Sequence, residues 1–263
     1  MERLSAYQLG EEIGKGGFGN VYSGTKDGNT FAIKICEDKE DDSYEDMLKR
    51  ELKLLRRVQG SPYVIELVES FDFENDDSVF TQITVMPFYP TDLDALIEKL
   101  RDDDRLASWH SIKELTLSML HALKHCAKKR VVHGDVKPNN ILVQLHKSGE
   151  LSFVLADFGS SHVLGKSKVC HYGHTQLYSA PEVVLEEWKR VNFTSDTWSL
   201  ACCVFEMACG EMLFRYEDEE YEEETADESA GEDAEGILQN AIEDVLILQH
   251  LGWDSDMLSL IHI

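Results

Sequence analysis

The chain has 263 residues, 43% of them hydrophobic, and sets 25 basic against 50 acidic side chains for a formal net charge of −25. That length and apolar content suit one large domain or two lobes around a cleft. The charge argues against nucleic acid as a partner, because phosphates would repel such a surface, and favours basic ones. No run of about 18 apolar residues exists, so no membrane partner is expected. The first residues, Met1 to Tyr7, lack the apolar centre of a signal peptide. Six cysteines, at 36, 126, 170, 202, 203 and 209, show no paired metal-ligand spacing. Four of them sit in apolar or helical runs, where a free thiol behaves as a small hydrophobe. A reduced, intracellular location is therefore expected.

From the N-terminus, alternation with glycine-rich breaks predicts strands at Tyr7 to Leu9, Asn20 to Ser23 and Thr30 to Ile35. The period then changes. Met47, Leu48, Glu51, Leu52, Leu54 and Leu55 recur at helical spacing over Ser43 to Val58, with acids early and bases late. Strand-like runs follow at Val64 to Val68 and Val79 to Met86, and Pro87 and Pro90 then mark a hinge. Thr91 is placed to cap a helix through Leu100. A longer helix is predicted over Ser108 to Lys128, with Ile112, Leu115, Met119, Leu123 and Cys126 as its core stripe. Short strands at Ile141 to Val143 and Phe153 to Leu155 precede an apolar helix over Thr194 to Cys209. From Glu217 to Glu235, 12 of 19 residues are acidic and none is basic, which reads as a solvated insertion or else a docking surface for basic peptides. A final apolar helix is predicted around Ile237 to Leu251. The order implies an α+β, bilobal chain. A small β-rich lobe with one main helix occupies 1–86, a hinge 87–91, and a larger, mostly helical lobe 92–263.

Gly14-Lys15-Gly16-Gly17-Phe18-Gly19-Asn20-Val21 is a glycine loop whose backbone can approach phosphate oxygens closely. The pattern alone is shared with dinucleotide-binding turns, but those open a helix, whereas strands flank this one. Lys34 lies inside the apolar strand Phe31-Ala32-Ile33-Lys34, where an ammonium is costly unless it meets an anion. The α- and β-phosphates of a nucleotide are that anion, and Glu51 on the following helix is the candidate carboxylate that holds the lysine. A strand-edge lysine reaching water is the plain alternative. In His133-Gly134-Asp135-Val136-Lys137-Pro138-Asn139-Asn140, Asp135 suits accepting or orienting a hydroxyl proton, and Lys137 neutralising charge on a transferred phosphoryl. Asn140 suits holding a magnesium ion. Asp157-Phe158-Gly159 follows a buried-looking strand and offers a second metal ligand in Asp157.

In this order the glycine loop, Ala32-Ile33-Lys34, Glu51, His133 to Asn140, Asp157-Phe158-Gly159, Ala180-Pro181-Glu182 and Asp196 resemble a eukaryotic protein kinase, over Tyr7 to Gly252. The resemblance implies ATP and Mg2+ as cofactors, a protein substrate and no particular oligomeric state. Lys137, two residues after Asp135, marks the Ser/Thr type. Thr175 matches the threonine that bridges Asp135 and Lys137, and Asp196 the aspartate that organises the catalytic loop. Met86 takes the gatekeeper place, the backbones of Pro87 and Tyr89 the adenine contacts, and Asp92 a ribose contact. Trp198 to Phe214 is similar to the SR-protein kinases and their relatives in the cyclin-dependent and MAP kinase group, which implies a basic substrate. Gln176 and Ser179 depart from that group's basic residues.

Two departures carry consequences. Regulated kinases carry an arginine before the catalytic aspartate to bind an activation-loop phosphate, and Gly134 stands there. Phosphorylation of Ser160, Ser161, Ser167 or Thr175 then has no matching anion site, so activity without it is expected. Glu182 pairs in the family with a distant downstream arginine, and only Arg190 and Arg215 follow it here. With no long stretch after the 237–251 run, an incomplete larger lobe is expected. Two other readings remain. A small-molecule phosphotransferase of the aminoglycoside or choline kinase type shares His133-Gly134-Asp135, but Lys137, Thr175 and Ala180-Pro181-Glu182 count against it. A catalytically inactive scaffold that binds basic proteins is the other, against which Lys34, Asp135 and Asp157 stand intact.

Overall fold

The structure, a computed structural model, describes residues 4–16, 19–37, 42–74, 80–165, 176–185 and 191–214. The expectations for Gly17, Phe18, Ser167, Thr175, the acidic stretch 217–235 and the apolar run 237–251 lie outside the described residues. Five antiparallel strands make the first sheet: β1 (Gln8–Gly16), β2 (Gly19–Lys26), β3 (Asn29–Glu37), β4 (Glu69–Glu74) and β5 (Phe80–Pro87), in the order β1-β2-β3-β5-β4. Period-2 alternation sorts their side chains. Ile33, Ile83 and Val85 are fully buried with Tyr7 and Phe71 on one face, while Lys34, Thr84 and Met86 line a cleft on the other. Helix α1 (Asp42–Arg57) follows β3, with Leu48, Glu51, Leu52 and Leu55 buried along one helical face. Leu48, 0% exposed, packs with Cys36 of β3 and Phe80 of β5 and ties the helix to the sheet.

The second lobe is built on two helices. In α3 (Trp109–Lys128), capped by Ser108, the stripe Ile112, Leu115, Met119, Leu123 and Cys126 is buried as the sequence predicts. It packs against α5 (Phe193–Cys209) around one large core. Asn192 and Ser195 close a capping box at the start of α5, and Gly210 ends it in the left-handed region at φ 75°. Shorter pieces position the cleft floor: β6 (Thr91–Asp92), α2 (Leu93–Asp102), β7 (Val131–Val132), β8 (Ile141–Leu145), β9 (Leu151–Leu155), β10 (His162–Val163) and α4 (Pro181–Leu185). Strands β6, β8 and β9 form one small sheet, and β7 and β10 another.

Two expectations are corrected. Val64 to Val68 is not a strand. Val64 makes one parallel bridge to Leu155, with the Ile65 amide on the Leu155 carbonyl and the Leu155 amide on that of Tyr63, both at 2.9 Å. The strand beside β5 is the more polar Glu69–Glu74, because the apolar run is spent on fastening the first lobe to β9, with Val64 and Ile65 buried there. Thr91 does not cap α2 either. It pairs in β6 with Val143, and Asp92 is the cap, its Oδ1 accepting from the Ala95 amide at 2.9 Å. Among the described residues, no helix is long and apolar enough to cross a membrane.

Candidate active site

Between the two lobes lies a cleft of about 620 Å³, within the range of small-molecule sites. Its roof is the β1–β2 turn. Gly14, Lys15, Gly19 and Val21 line it, and Gly16 ends β1 opposite Gly19. Gly19 sits at φ +137°, and a Cβ there would lie 2.5 Å from the Ile35 carbonyl oxygen and 2.7 Å from Cys36 Sγ. Only glycine fits that position without moving β3, so β2 begins close against that strand. Ala32 and Met86 face each other in register across β3 and β5, and Lys34 pairs with Thr84 one step further in.

Lys34 Nζ meets Glu51 Oε1 at 2.6 Å, with the side chains 14% and 12% exposed. Burial alone would drive the proton off Lys34, but the carboxylates of Glu51 and Asp157 outweigh it and keep the ammonium charged. The pair forms because β3 presents Lys34 on its cleft face and α1 presents Glu51 on its buried face. The back of the cleft is made by Pro87, Tyr89 and Asp92. Pro87 offers a carbonyl and no N–H, so it can only accept there, and Pro90 confines Tyr89 to extended backbone. One Asp92 oxygen is committed to capping α2, and burial raises its carboxyl above the usual range.

Asn140 and Asp157 line the floor, and Asp135 and Lys137 gather beside Asn140. Asp135 Oδ2 stands between Lys137 Nζ at 2.9 Å and Asn140 Nδ2 at 3.0 Å. Asn140 Nδ2 also donates to the Asp135 carbonyl at 2.8 Å, so the amide's orientation is set and its oxygen is the end left for a cation. Asn140 and Asp157 both line the cleft, joined through the Ala156 amide, which donates to the Asn140 carbonyl at 2.9 Å. Asp157 holds φ 58°, a left-handed conformation tolerated by aspartate, and its Oδ1 accepts from the Gly159 amide at 3.1 Å. Burial pushes its carboxyl up, but Lys34, the Gly159 amide, His133 and Lys137 together hold it below the ordinary aspartate value. A carboxylate kept ionised beside an amide oxygen is a hard oxygen donor set of the kind magnesium takes with nucleotide phosphates. Asp196, 3% exposed on α5, accepts from the amides of His133 and Gly134, each at 2.8 Å. It thereby ties the loop at His133 and Gly134 to the core helix.

The structure brings together Lys34, Glu51, Asp135, Lys137, Asn140 and Asp157, with Asp196 beneath them. Thr175, Gly17 and Phe18 lie outside the described residues. Sequence reading missed Ile13 and Leu142, which close the cleft from above and below. Leu142 was legible in principle: Ile141 and Val143 are buried on one face of β8, so period 2 sends Leu142 to the other. Ile13, directly before Gly14 and after Glu11 and Glu12 in β1, carried a similar signal.

A protein family described as "Protein kinase domain" matches residues 7–251. The chain is 33% identical over 206 residues to cyclin-dependent kinase D-1 of Arabidopsis thaliana, covering 76% of this chain and 48% of that protein. It is 32% identical over 222 residues to mitogen-activated protein kinase 12 of Mus musculus, covering 82% and 57%. It is 27% identical over 222 residues to serine/threonine-protein kinase prpf4B of Dictyostelium discoideum, covering 81% and 26%. The chain thus spans between about a quarter and somewhat over half of the length of these relatives.

Proposed function

From the premise that this chain belongs to the protein kinase domain family, we propose that it transfers the γ-phosphate of ATP to serine or threonine hydroxyls of proteins. The observation that carries this reading is the placement of Asp135 Oδ2 between Lys137 and Asn140, beside a cleft that Asn140 lines together with Asp157 and the Lys34–Glu51 pair. Asp135 accepts the substrate hydroxyl proton as the oxygen–phosphorus bond forms and the bond to the ADP oxygen breaks. Lys34 holds the α- and β-phosphates, Glu51 holds Lys34, and Lys137 offsets charge on the moving phosphoryl. Asn140 and Asp157 would hold Mg2+, which supplies charge neutralisation between the phosphates. The Pro87 carbonyl and the Tyr89 amide suit the adenine edge, one accepting and one donating, with Asp92 near the ribose.

The net charge of −25 favours substrates rich in arginine or lysine. Five described cysteines, all free and four of them buried, suit a reducing intracellular setting. The test is transfer of labelled γ-phosphate to serine peptides with arginine-rich or acidic flanks, with thermal shift by ATP and magnesium measured in parallel. The wild type is expected to phosphorylate the basic peptide. Asp135→Asn should lose roughly 10²- to 10⁴-fold in turnover, the usual worth of a general base, while keeping the thermal shift. A wild type that binds ATP and transfers to neither peptide would instead mark a binding scaffold.

A further inference from the structure

The peptide unit between His133 and Gly134 is held at both edges by side chains from other parts of the chain. Its N–H donates to Asp196 Oδ1 at 2.8 Å, and its carbonyl accepts from Ser161 Oγ at 2.9 Å. Ser161 is fully buried, and its own amide donates to the Phe158 carbonyl at 3.2 Å, so the hydroxyl is delivered from the stretch just after Asp157. The Ser161 oxygen is occupied and buried, which removes it from the candidate phosphorylation positions.

The residue after this peptide is Gly134, at φ 82°. Glycine passes between positive and negative φ at little cost, so no side chain at 134 restrains rotation of the plane that precedes Asp135. The two hydrogen bonds supply that restraint. The rest of His133 is anchored separately. Its ring packs edge-to-face on Phe158 with centroids 4.9 Å apart, Nδ1 accepts from the Asp135 amide at 3.3 Å, and Nε2 donates to the Ala156 carbonyl at 3.0 Å. Loss of the Ser161 hydroxyl would therefore leave the imidazole in place and release only the carbonyl edge of the peptide.

We propose that Ser161 is a positioning residue for phosphoryl transfer, its hydroxyl fixing the His133–Gly134 peptide plane against Asp196 and so aiming the Asp135 carboxylate. The kinetic part of the test rests on the function proposed above; the exchange part does not. Ser161→Ala is expected to lower kcat about 10- to 100-fold, since a misplacement of about 1 Å can cost ~10²-fold. The KM for ATP and the magnesium-dependent thermal shift should stay within about twofold. Ser161→Thr, which keeps the hydroxyl, should recover most of the lost kcat. Amide hydrogen exchange at Gly134 and Asp135 should quicken by about 10-fold or more in Ser161→Ala, with β8 amides unchanged. Unchanged exchange at Gly134 and Asp135 in Ser161→Ala would overturn the proposal. So would a kcat loss matched by equal losses of ATP binding and melting temperature, the mark of a structural role alone. A wild type that binds ATP without transferring phosphate defeats the function reading, and the exchange result then decides the role of Ser161 by itself.

Discussion

Lys34 occupies a strand position where its neighbours Ile33 and Ile35 face apolar core, and an ammonium there depends on its partner. Glu51 supplies it at 2.6 Å, and Asp157 adds negative charge from the floor. Lys34→Met would strip Glu51 of its counter-charge, and breaking such a pair from one side costs about 3–5 kcal/mol. The variant should melt earlier than the wild type and show no shift on adding ATP and magnesium; a retained shift would contradict the phosphate-binding role. Asp157 gives the pH prediction. Its folded carboxyl lies below the ordinary aspartate value near about 3.9, so the unfolded chain binds the proton more readily. Its contribution to stability is therefore complete above that value and disappears as the pH falls through the lower, folded one. Asp157→Asn should flatten this acid limb in melting curves taken from neutral to strongly acid pH, and an unaltered limb would refute the assignment. Lys34 and Asp135 stood out in the sequence because their types conflict with apolar surroundings or sit in a dense polar motif. Asp92 was legible as a cleft residue but not as a helix cap, because Thr91 and Asp92 are both good caps. The choice fell to where β6 ends: Asp92, its last residue, directly precedes the first turn of α2.

At the scale of elements, the long periodic segments read true, as did the short strands at Ile141 to Val143 and Phe153 to Leu155, but the apolar run Val64 to Val68 did not. The stripe of α3 is buried residue for residue, and Leu115 at its centre has no exposure. Leu115→Ala should cost about 2–5 kcal/mol, since α3 and α5 cannot both close the gap it leaves. Urea unfolding would register this as a lower midpoint at constant slope; a shift corresponding to under about 1 kcal/mol would mean the α3–α5 contact is not part of the main core. Val64 to Val68 shows why a five-residue apolar run is ambiguous. Buried extended chain and buried strand share a composition, and only the position of β9 decides that Val64 bridges to Leu155 instead of lengthening the first sheet. The strand that does flank β5, Glu69–Glu74, carries Phe71 inward beside a Glu69 that meets Tyr7, and Asp72 outward, a weak alternation overshadowed by its apolar neighbour.

For the molecule as a whole, the excess of 25 negative charges acts on association more than on folding. A basic peptide drawn by this field should show a KM that rises as salt increases from about 0.01 to 0.15 M, where the screening length shortens from ~30 to ~8 Å. The KM for ATP, set by contacts inside the cleft, should move less; a salt-insensitive peptide KM would remove the charge argument for basic substrates. The sequence by itself determined the residue types that phosphate, proton and metal chemistry need, together with their order and the lengths of the main helices. Those follow from local chemistry and from periodicity along the chain. Only the tertiary structure decided that Lys34 meets Glu51, that Asp196 and Ser161 grip opposite edges of one peptide, and that Ile13 and Leu142 close the cleft. These contacts join residues 17, 62, 28 and more than 100 positions apart. Such pairs arise from how sheet and helices pack: local periodicity gives a residue its face, as for Leu142 and Glu51, and packing alone decides what that face meets.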